Sequence, residues 1–413
     1  MNIHNLQKMC QAQQILSTEG KRRKDLFCES LARNISKKKA SIISANVRDW
    51  KKAMKKKYDS AFLDRLRLDE EKVDAIVQRI YTVKGLNAGI GSCIERVLLP
   101  NGVTLKRIRV PLGVLLFIYE SRPEVTIDVV TLAIGSGNAC ILKAGSESWY
   151  TSTLLIDFVK RALFTAGLPQ EAVYFIKSKS RRSLYTLLTK TNFIDVVIAR
   201  GGYAMVQNIL KRSRIPVLCH SEGGARIYID RTGNLEMAKK IVLNAKTSNP
   251  SACNSLDTIL VHEEISQKFL PELVHLLIGN NITIYGDKTA QKISKEILPA
   301  TPKTWEEEFL SLAVSIKVVR GVSEALQFIS RYTNHHSEGI IAKDKKVIDI
   351  FTKSIDAAAL FINCSPRLHD GFVFGKGAEV GIATGKLHAR GPLGLTDLTT
   401  YKWVAYGNGQ IRE

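Results

Sequence analysis

The sequence predicts an α/β protein with two doubly wound parallel sheets in tandem, preceded by helices and carrying a small antiparallel hairpin. Three observations lead there. First, short apolar runs alternate with single helix-length segments from about residue 114 to 362, and strands separated by single helices pair in parallel. Second, the run Val114-Leu-Leu-Phe-Ile-Tyr119 is apolar throughout, as in a strand covered on both faces. Third, the alternation starts afresh near Arg226, and 413 residues exceed one ordinary domain. Two lobes with a cleft between them are therefore expected.

Residues 1 to about 82 read as helices, the last over Leu63 to Tyr81. Gly85-Leu-Asn-Ala-Gly-Ile-Gly91 ends them; its Gly-x-Gly has no strand before it, so it is not a dinucleotide loop. Val97 to Val110 reads as a hairpin around Pro100-Asn-Gly102. Strand Val114–Tyr119 runs into the charged Glu120-Ser-Arg-Pro-Glu124, at the strand end where open α/β sheets place ligands. A helix over Val125 to Ile134 and strand Ala139–Lys143 complete a βαβ unit, followed by helix Thr153–Ala166, strand Ala172–Ile176, helix Arg181–Thr189 and strand Ile194–Ile198. Arg200-Gly-Gly202 opens a helix to Lys211, and a further strand covers 215–218. In the second series, strands are expected at Ile227–Ile229, Thr258–Val261, Ile282–Tyr285, Ser315–Val319, Gly339–Ala342 and Ala358–Ile362.

The formal charge of +21 is concentrated in the first 60 residues, in runs such as Lys21-Arg-Arg-Lys24 and Lys55-Lys-Lys57. These runs alternate with Leu26, Phe27, Leu31 and Ile35 at helical intervals, which marks solvated faces of amphipathic helices. No aromatic residues interleave as on a base-stacking platform, so no nucleic-acid partner is expected. A positive field also suits an acidic, phosphorylated small substrate. No apolar stretch reaches the length of a membrane span, so no membrane partner is expected. Seven scattered cysteines without a CxxC or zinc spacing point to free thiols in a reducing cytoplasm, with no metal site.

The stretch Asn244-Ala-Lys-Thr-Ser-Asn-Pro-Ser-Ala-Cys-Asn254 holds the candidate chemistry. A helix over Glu236 to Lys246 gives way to a cluster of turn-formers, and Cys253 follows just before the next strand. A thiol at such a seam is exposed and close to backbone N–H groups, which lower its pKa and stabilise an oxyanion. A buried structural cysteine is the alternative.

Together, these motifs resemble the gamma-glutamyl phosphate reductases (glutamate-5-semialdehyde dehydrogenases), a branch of the aldehyde dehydrogenase superfamily. The resemblance rests on Val110-Pro-Leu-Gly-Val114, Tyr119-Glu-Ser-Arg-Pro123, Ser136-Gly-Asn138, Leu142-Lys143, Asn244-Ala-Lys-Thr247, Pro250-Ser-Ala-Cys-Asn254, His336-Ser-Glu338, Leu387-His-Ala-Arg-Gly-Pro392 and Gly407-Asn-Gly-Gln-Ile-Arg412. It implies two Rossmann-like domains without a GxGxxG loop: residues 1–225 binding NADP, 226–371 carrying the cysteine, and 372–413 as a closing segment and oligomerisation tail. The implied activity is NADPH-dependent reduction of L-glutamyl 5-phosphate to glutamate semialdehyde in proline synthesis, through a Cys253 thioester. The hairpin at 96–112 and the tail resemble segments that pair between subunits, implying a homodimer or tetramer. A transient contact with a glutamate 5-kinase is also implied.

For the cofactor, the resemblance implicates Lys143, with Ser146 and Glu147 beside it, Gly201 and Gly202 at a turn near the phosphates, and Glu308 at the nicotinamide ribose. An ordinary strand-end lysine, a simple helix start and an exposed acidic helix start are the respective alternatives, and Glu306 and Glu307 leave the register of Glu308 open. Arg122 and Arg390 are candidates for holding phosphate or carboxylate, since guanidinium pairs with both in bidentate fashion. His388 is a further substrate candidate, His220 a lesser one, and Asn254 is expected to direct its backbone N–H toward the oxyanion.

Three positions depart from the family pattern: Glu124 stands where Asn is commoner, Ala225-Arg226 where a Cys-His pair is usual, and Thr333-Asn334 where small residues are usual. The rival reading, a hydrolytic aldehyde dehydrogenase, needs a glutamate base two residues before a Gly-Gly pair. Aligned on Gly223-Gly224, that position holds Ser221, and Glu222 is one place off. A one-residue shift on a strand reverses the side chain's face, which favours phosphate over water as acyl acceptor.

Overall fold

The computed structural model describes residues 1–412 apart from 59, 121, 179, 220 and 221, and of residues 60, 61 and 181 only the backbone. The chain divides into two compact units, one of residues 1–221 with 375–381 and 387–413, the other of residues 222–374 with 382–386.

The first unit begins with five helices, α1 Ile3–Thr18, α2 Lys21–Lys37, α3 Lys39–Lys55, α4 Ser60–Leu66 and α5 Glu70–Gly85. The helix expected over 63–81 is thus two. The chain breaks because Asp69 caps α5, its carboxylate accepting from the Lys72 N–H, and Glu70 and Glu71 complement the positive helix end. The lysine runs lie beside buried stripes such as Phe27, Leu31 and Ile35 of α2, so these helices dock by one face.

A three-stranded antiparallel sheet follows from strands β1 Cys93–Leu98 and β2 Thr104–Pro111. The expected hairpin is present and starts at Cys93 rather than Val97. The C-terminal strand Thr399–Tyr406 pairs with β2 of its own chain, Tyr406 opposite Thr104. Then come β3 Val114–Tyr119, α6 Val125–Gly135, β4 Ala139–Ala144, α7 Trp149–Thr165, β5 Val173–Phe175, α8 Arg181–Leu187, β6 Val196–Arg200, α9 Tyr203–Arg212 and β7 Val217–Cys219. The strands form a parallel sheet in the order β5-β4-β3-β6-β7. Every residue of β3, its central strand, is buried. That is why this run is apolar without alternation.

The second unit holds β8 Ala225–Ile229, α10 Leu235–Thr247, β9 Leu256–His262, α11 Glu263–Ile278, β10 Thr283–Gly286, α12 Lys288–Ile293, β11 Leu298–Pro299, α13 Pro302–Glu306, β12 Ala313–Val319, α14 Val322–Tyr332, β13 Ser337–Ile341, α15 Lys345–Ser354 and β14 Ala359–Ile362. Its strands are parallel in the order β11-β10-β12-β9-β8-β13-β14. Alternation along each strand feeds two cores. Ile227, Ile229 and Ile259 pack with α10 and α11 on one face, while Tyr228, Leu260 and Ile340 pack with α14 and α15 on the other. The strand order reverses between β8 and β13, and the cysteine loop leads from α10 into the amino end of β9.

Candidate active site

In the second unit, α10 starts at Asn234, whose side chain accepts from the Met237 N–H, and stops at Ser248. The turn-formers then tighten the chain. The Ala252 N–H reaches the Asn249 carbonyl at 3.2 Å, the Ser255 N–H reaches the Ala252 carbonyl at 2.9 Å, and β9 begins one residue later. Cys253 sits half-buried at this seam. Its backbone rests on Gly223-Gly224, with the Gly224 N–H donating to the Cys253 carbonyl at 2.6 Å. A Cβ at Gly223 would lie 2.2 Å from that oxygen, and Gly224 has φ +109°, so the Gly-Gly pair is required by close approach and by conformation.

Buried charges support the loop from below. Lys246, fully buried on α10, places its ammonium 3.3 Å from the Ser255 hydroxyl and 3.6 Å from the Asp257 carboxylate. Burial lowers the Lys246 pKa, and Asp257 opposes this. Burial pushes Asp257 up to about 6 against the pull of Lys246 and Arg226. The Phe309 N–H also donates to Asp257, at 3.2 Å. Glu308, the preceding residue, acts electrostatically on Lys246. A second buried pair joins Arg226 to Glu338 at 3.3 Å, and burial raises Glu338 to about 7 with Arg226 opposing.

Two of the three departures belong to this supporting layer. Arg226 is the partner of Glu338. The Thr333 hydroxyl donates to Glu338 at 2.6 Å, and the Asn334 amide donates to the Gly223 carbonyl at 2.7 Å, just behind the cysteine. Asn254, next to Cys253, is buried, with its side-chain amide donating to the His369 carbonyl at 2.9 Å and its oxygen accepting from the Arg367 guanidinium. Sequence reasoning missed Lys246, Asp257 and Arg367. A lysine on the apolar face of α10 was the only local signal for the first; Arg367 had none.

In the first unit, a cavity of about 580 Å³ opens at the carboxyl ends of β3, β4 and β6. Lys143, Ser146, Glu147 and Gly202 all line it, with Glu120 and Tyr203. Burial lowers the Lys143 pKa, and the Glu147 carboxylate opposes this. The Gly202 N–H donates to the Glu120 carboxylate at 3.2 Å. Gly201 stands beside the cavity rather than in its lining; a Cβ there would lie 2.4 Å from Met205. Arg122 lies near enough to Glu124 to lower its carboxyl, which burial pushes up. His388 is exposed, with its ring bonded to the Asp397 carbonyl at 3.0 Å, and Arg390 is half-buried two residues on. Glu308 belongs to the second unit. His220 and Ser221, the second of which carries the expectation of phosphate rather than water as acceptor, lie outside the described residues. Among the described residues no metal-ligating cluster occurs, and no helix is long and apolar enough to cross a membrane.

The aldehyde dehydrogenase family model matches residues 14–291. A gamma-glutamyl phosphate reductase of Dictyoglomus thermophilum is 40% identical, the match covering 100% of this chain and 99% of that protein. A crystal structure of a gamma-glutamyl phosphate reductase from Thermotoga maritima is 34% identical, covers 100% of this chain and 99% of that one, and superposes with a TM-score of 0.96. That of the Saccharomyces cerevisiae reductase is 27% identical, covers 99% of this chain and 98% of that one, and has a TM-score of 0.55.

Proposed function

Because the chain belongs to the aldehyde dehydrogenase family, and within it to the gamma-glutamyl phosphate reductases, we propose that it reduces L-glutamyl 5-phosphate to L-glutamate 5-semialdehyde, releasing phosphate, in proline synthesis. The observation that carries this reading is the presentation of Cys253 on a turn-built loop backed by Gly223-Gly224.

The Cys253 thiolate attacks the acyl carbon of the substrate, and the C–O bond to phosphate breaks with its electron pair on the phosphate, leaving a thioester. NADPH, when bound, supplies the hydride that reduces that thioester. The resulting thiohemiacetal oxyanion on Cys253 collapses and breaks its C–S bond, giving the aldehyde and restoring the thiolate. A thiol suits both halves, because thiolate is a strong nucleophile near neutrality and a good leaving group. Asn254 supplies a backbone N–H for the oxyanion, and the fixing of its side chain supports that role.

Family members use nicotinamide dinucleotides. NADPH as this chain's cofactor is our reading. It is supported by a cavity of ordinary ligand size in which Lys143, Ser146, Glu147 and Gly202 meet. On this reading residues 1–225 bind cofactor, 226–371 carry the nucleophile and 372–413 close the fold. Glu308 holds the nicotinamide ribose, and Arg122, Arg390 and His388 receive the substrate's anionic groups. The three-stranded sheet exposes Tyr401, Trp403 and Tyr406 beside its outer edge, which supports a homodimer or tetramer. A cytoplasmic setting and transient contact with the kinase that makes the labile acyl phosphate complete the proposal.

The test is the reverse reaction. Glutamate semialdehyde and NADP⁺ are expected to yield NADPH only when inorganic phosphate is supplied. Rapid phosphate-independent oxidation would mean a water-activating base and a hydrolytic enzyme. Failure to turn over in either direction would overturn the reductase reading.

A further inference from the structure

Building on Cys253 as the nucleophile, we propose that Arg367 is a positioning residue that clasps both ends of the cysteine loop and holds a fixed positive charge beside the thiol. In this arrangement the resting protein carries Cys253 as a thiolate and Asn254 in a single orientation.

The turn Ser365 to Asp370 follows β14 and is far from the loop in sequence, yet it is bonded to both of the loop's ends. The Ser365 hydroxyl donates to the Asn244 side chain at 2.8 Å. Arg367 Nε donates to the Ser248 hydroxyl, the C-cap of α10, at 3.1 Å, and its terminal nitrogen donates to Asn254 Oδ1. Asn254 Nδ2 returns a bond to the His369 carbonyl at 2.9 Å. The carboxamide is therefore held at its acceptor and its donor end, and flipping it would break both bonds. The turn is itself set by Ser365, whose hydroxyl accepts from the Arg367 N–H at 3.3 Å.

The charge matters separately from the bonds. Ser248 and Asn254 are neutral, and among the described residues no ion pair includes Arg367. Burial lowers the pKa of its guanidinium, and the Cys253 thiol, then Asp370, act in the opposite direction. The coupling is mutual: a thiolate that favours the guanidinium is favoured by it to the same degree. The other cations nearby are already committed. Lys246 on α10 faces Asp257 and Glu308, and Arg226 on β8 faces Glu338. Asp370 on the same turn also acts on the Arg367 guanidinium, after Cys253.

The experiment follows iodoacetamide alkylation of Cys253 in the full chain against pH, read on the peptide containing residue 253 so that the other cysteines do not contribute. Arg367→Gln is expected to raise the midpoint by about one unit and slow alkylation about tenfold at pH values below the midpoint of the unsubstituted protein, because only the thiolate reacts. Arg367→Lys, which keeps the charge and loses the fork, is expected to stay within about threefold of the unsubstituted protein. An unmoved midpoint in Arg367→Gln would overturn the proposal. So would an equal shift in Arg367→Lys, since loss of packing alone would then explain both. If Arg367→Gln does not fold, Ser248→Ala decides: loosening one anchor should give a smaller rise, and no rise overturns the proposal. Absence of reductase activity in the unsubstituted protein would overturn the assigned function but leave this comparison of thiol reactivity intact.

Discussion

Replacing Lys246 by Met should make the stability of this protein depend on pH more steeply than it now does, and over a higher range. Asp257 is pushed to about 6 from an ordinary 3.8, with Lys246 among the groups holding it down. The gap of about 2.2 units (6 − 3.8) corresponds to about 3 kcal/mol by which the fold disfavours the ionised carboxylate. The folded state thus holds this proton more tightly than the unfolded chain. Its contribution to stability is largest below about pH 4 and is lost as pH rises through about 6. Without the ammonium 3.6 Å away, the folded pKa of Asp257 rises further, and the loss continues through neutrality. At pH 5 the carboxyl is mostly protonated in both folded proteins, so Lys246→Met should differ little in slope there. By pH 8 the variant should fall behind by up to about 3 kcal/mol more, toward the range seen when a buried pair loses one member. Urea unfolding followed by circular dichroism at several pH values measures this. The double variant Lys246→Met with Asp257→Asn should remove the extra pH dependence. A deficit that is the same at pH 5 and pH 8, or a double variant whose losses simply add, would refute the assignment of the effect to Asp257.

Cys253→Ser should abolish turnover while leaving the fold and NADPH binding intact, because a hydroxyl of similar size lacks the easily formed anion; retention of more than about a few per cent of activity would move the nucleophile elsewhere. Lys143→Met should weaken NADPH binding about tenfold or more, measured by fluorescence titration, with the midpoint of thermal unfolding little changed. Equal NADPH affinity in that variant would return Lys143 to an ordinary strand-end lysine.

The elements visible in the sequence are those whose cause is local. Val114–Tyr119 reads as a central strand because burial on both faces demands an apolar run. The cysteine seam is visible because Ser248 to Ser251 cannot continue a helix. The glycines at 223 and 224 are visible as a pair, and Lys143 to Glu147 as the end of a strand; the cofactor role of Lys143, Ser146 and Glu147 came from the family resemblance. Two of the three departures from the family pattern were visible as oddities and acquired a reason only in three dimensions, where Arg226, Thr333 and Asn334 bond to Glu338 and Gly223.

What tertiary structure alone decided is which distant groups share a low-dielectric space. Lys246 and Asp257 stand eleven positions apart on a helix and the next strand, and neither shows its burial in its identity. Arg367 lies 114 residues beyond Cys253 in a turn with no catalytic signature. Hydrophobic period reports the face of an element and turn chemistry reports where it stops, so both can be read from neighbours along the chain. The ionisation of a buried group depends on the charges and dipoles packed around it, and those come from strands and turns that only the folded sheet brings together.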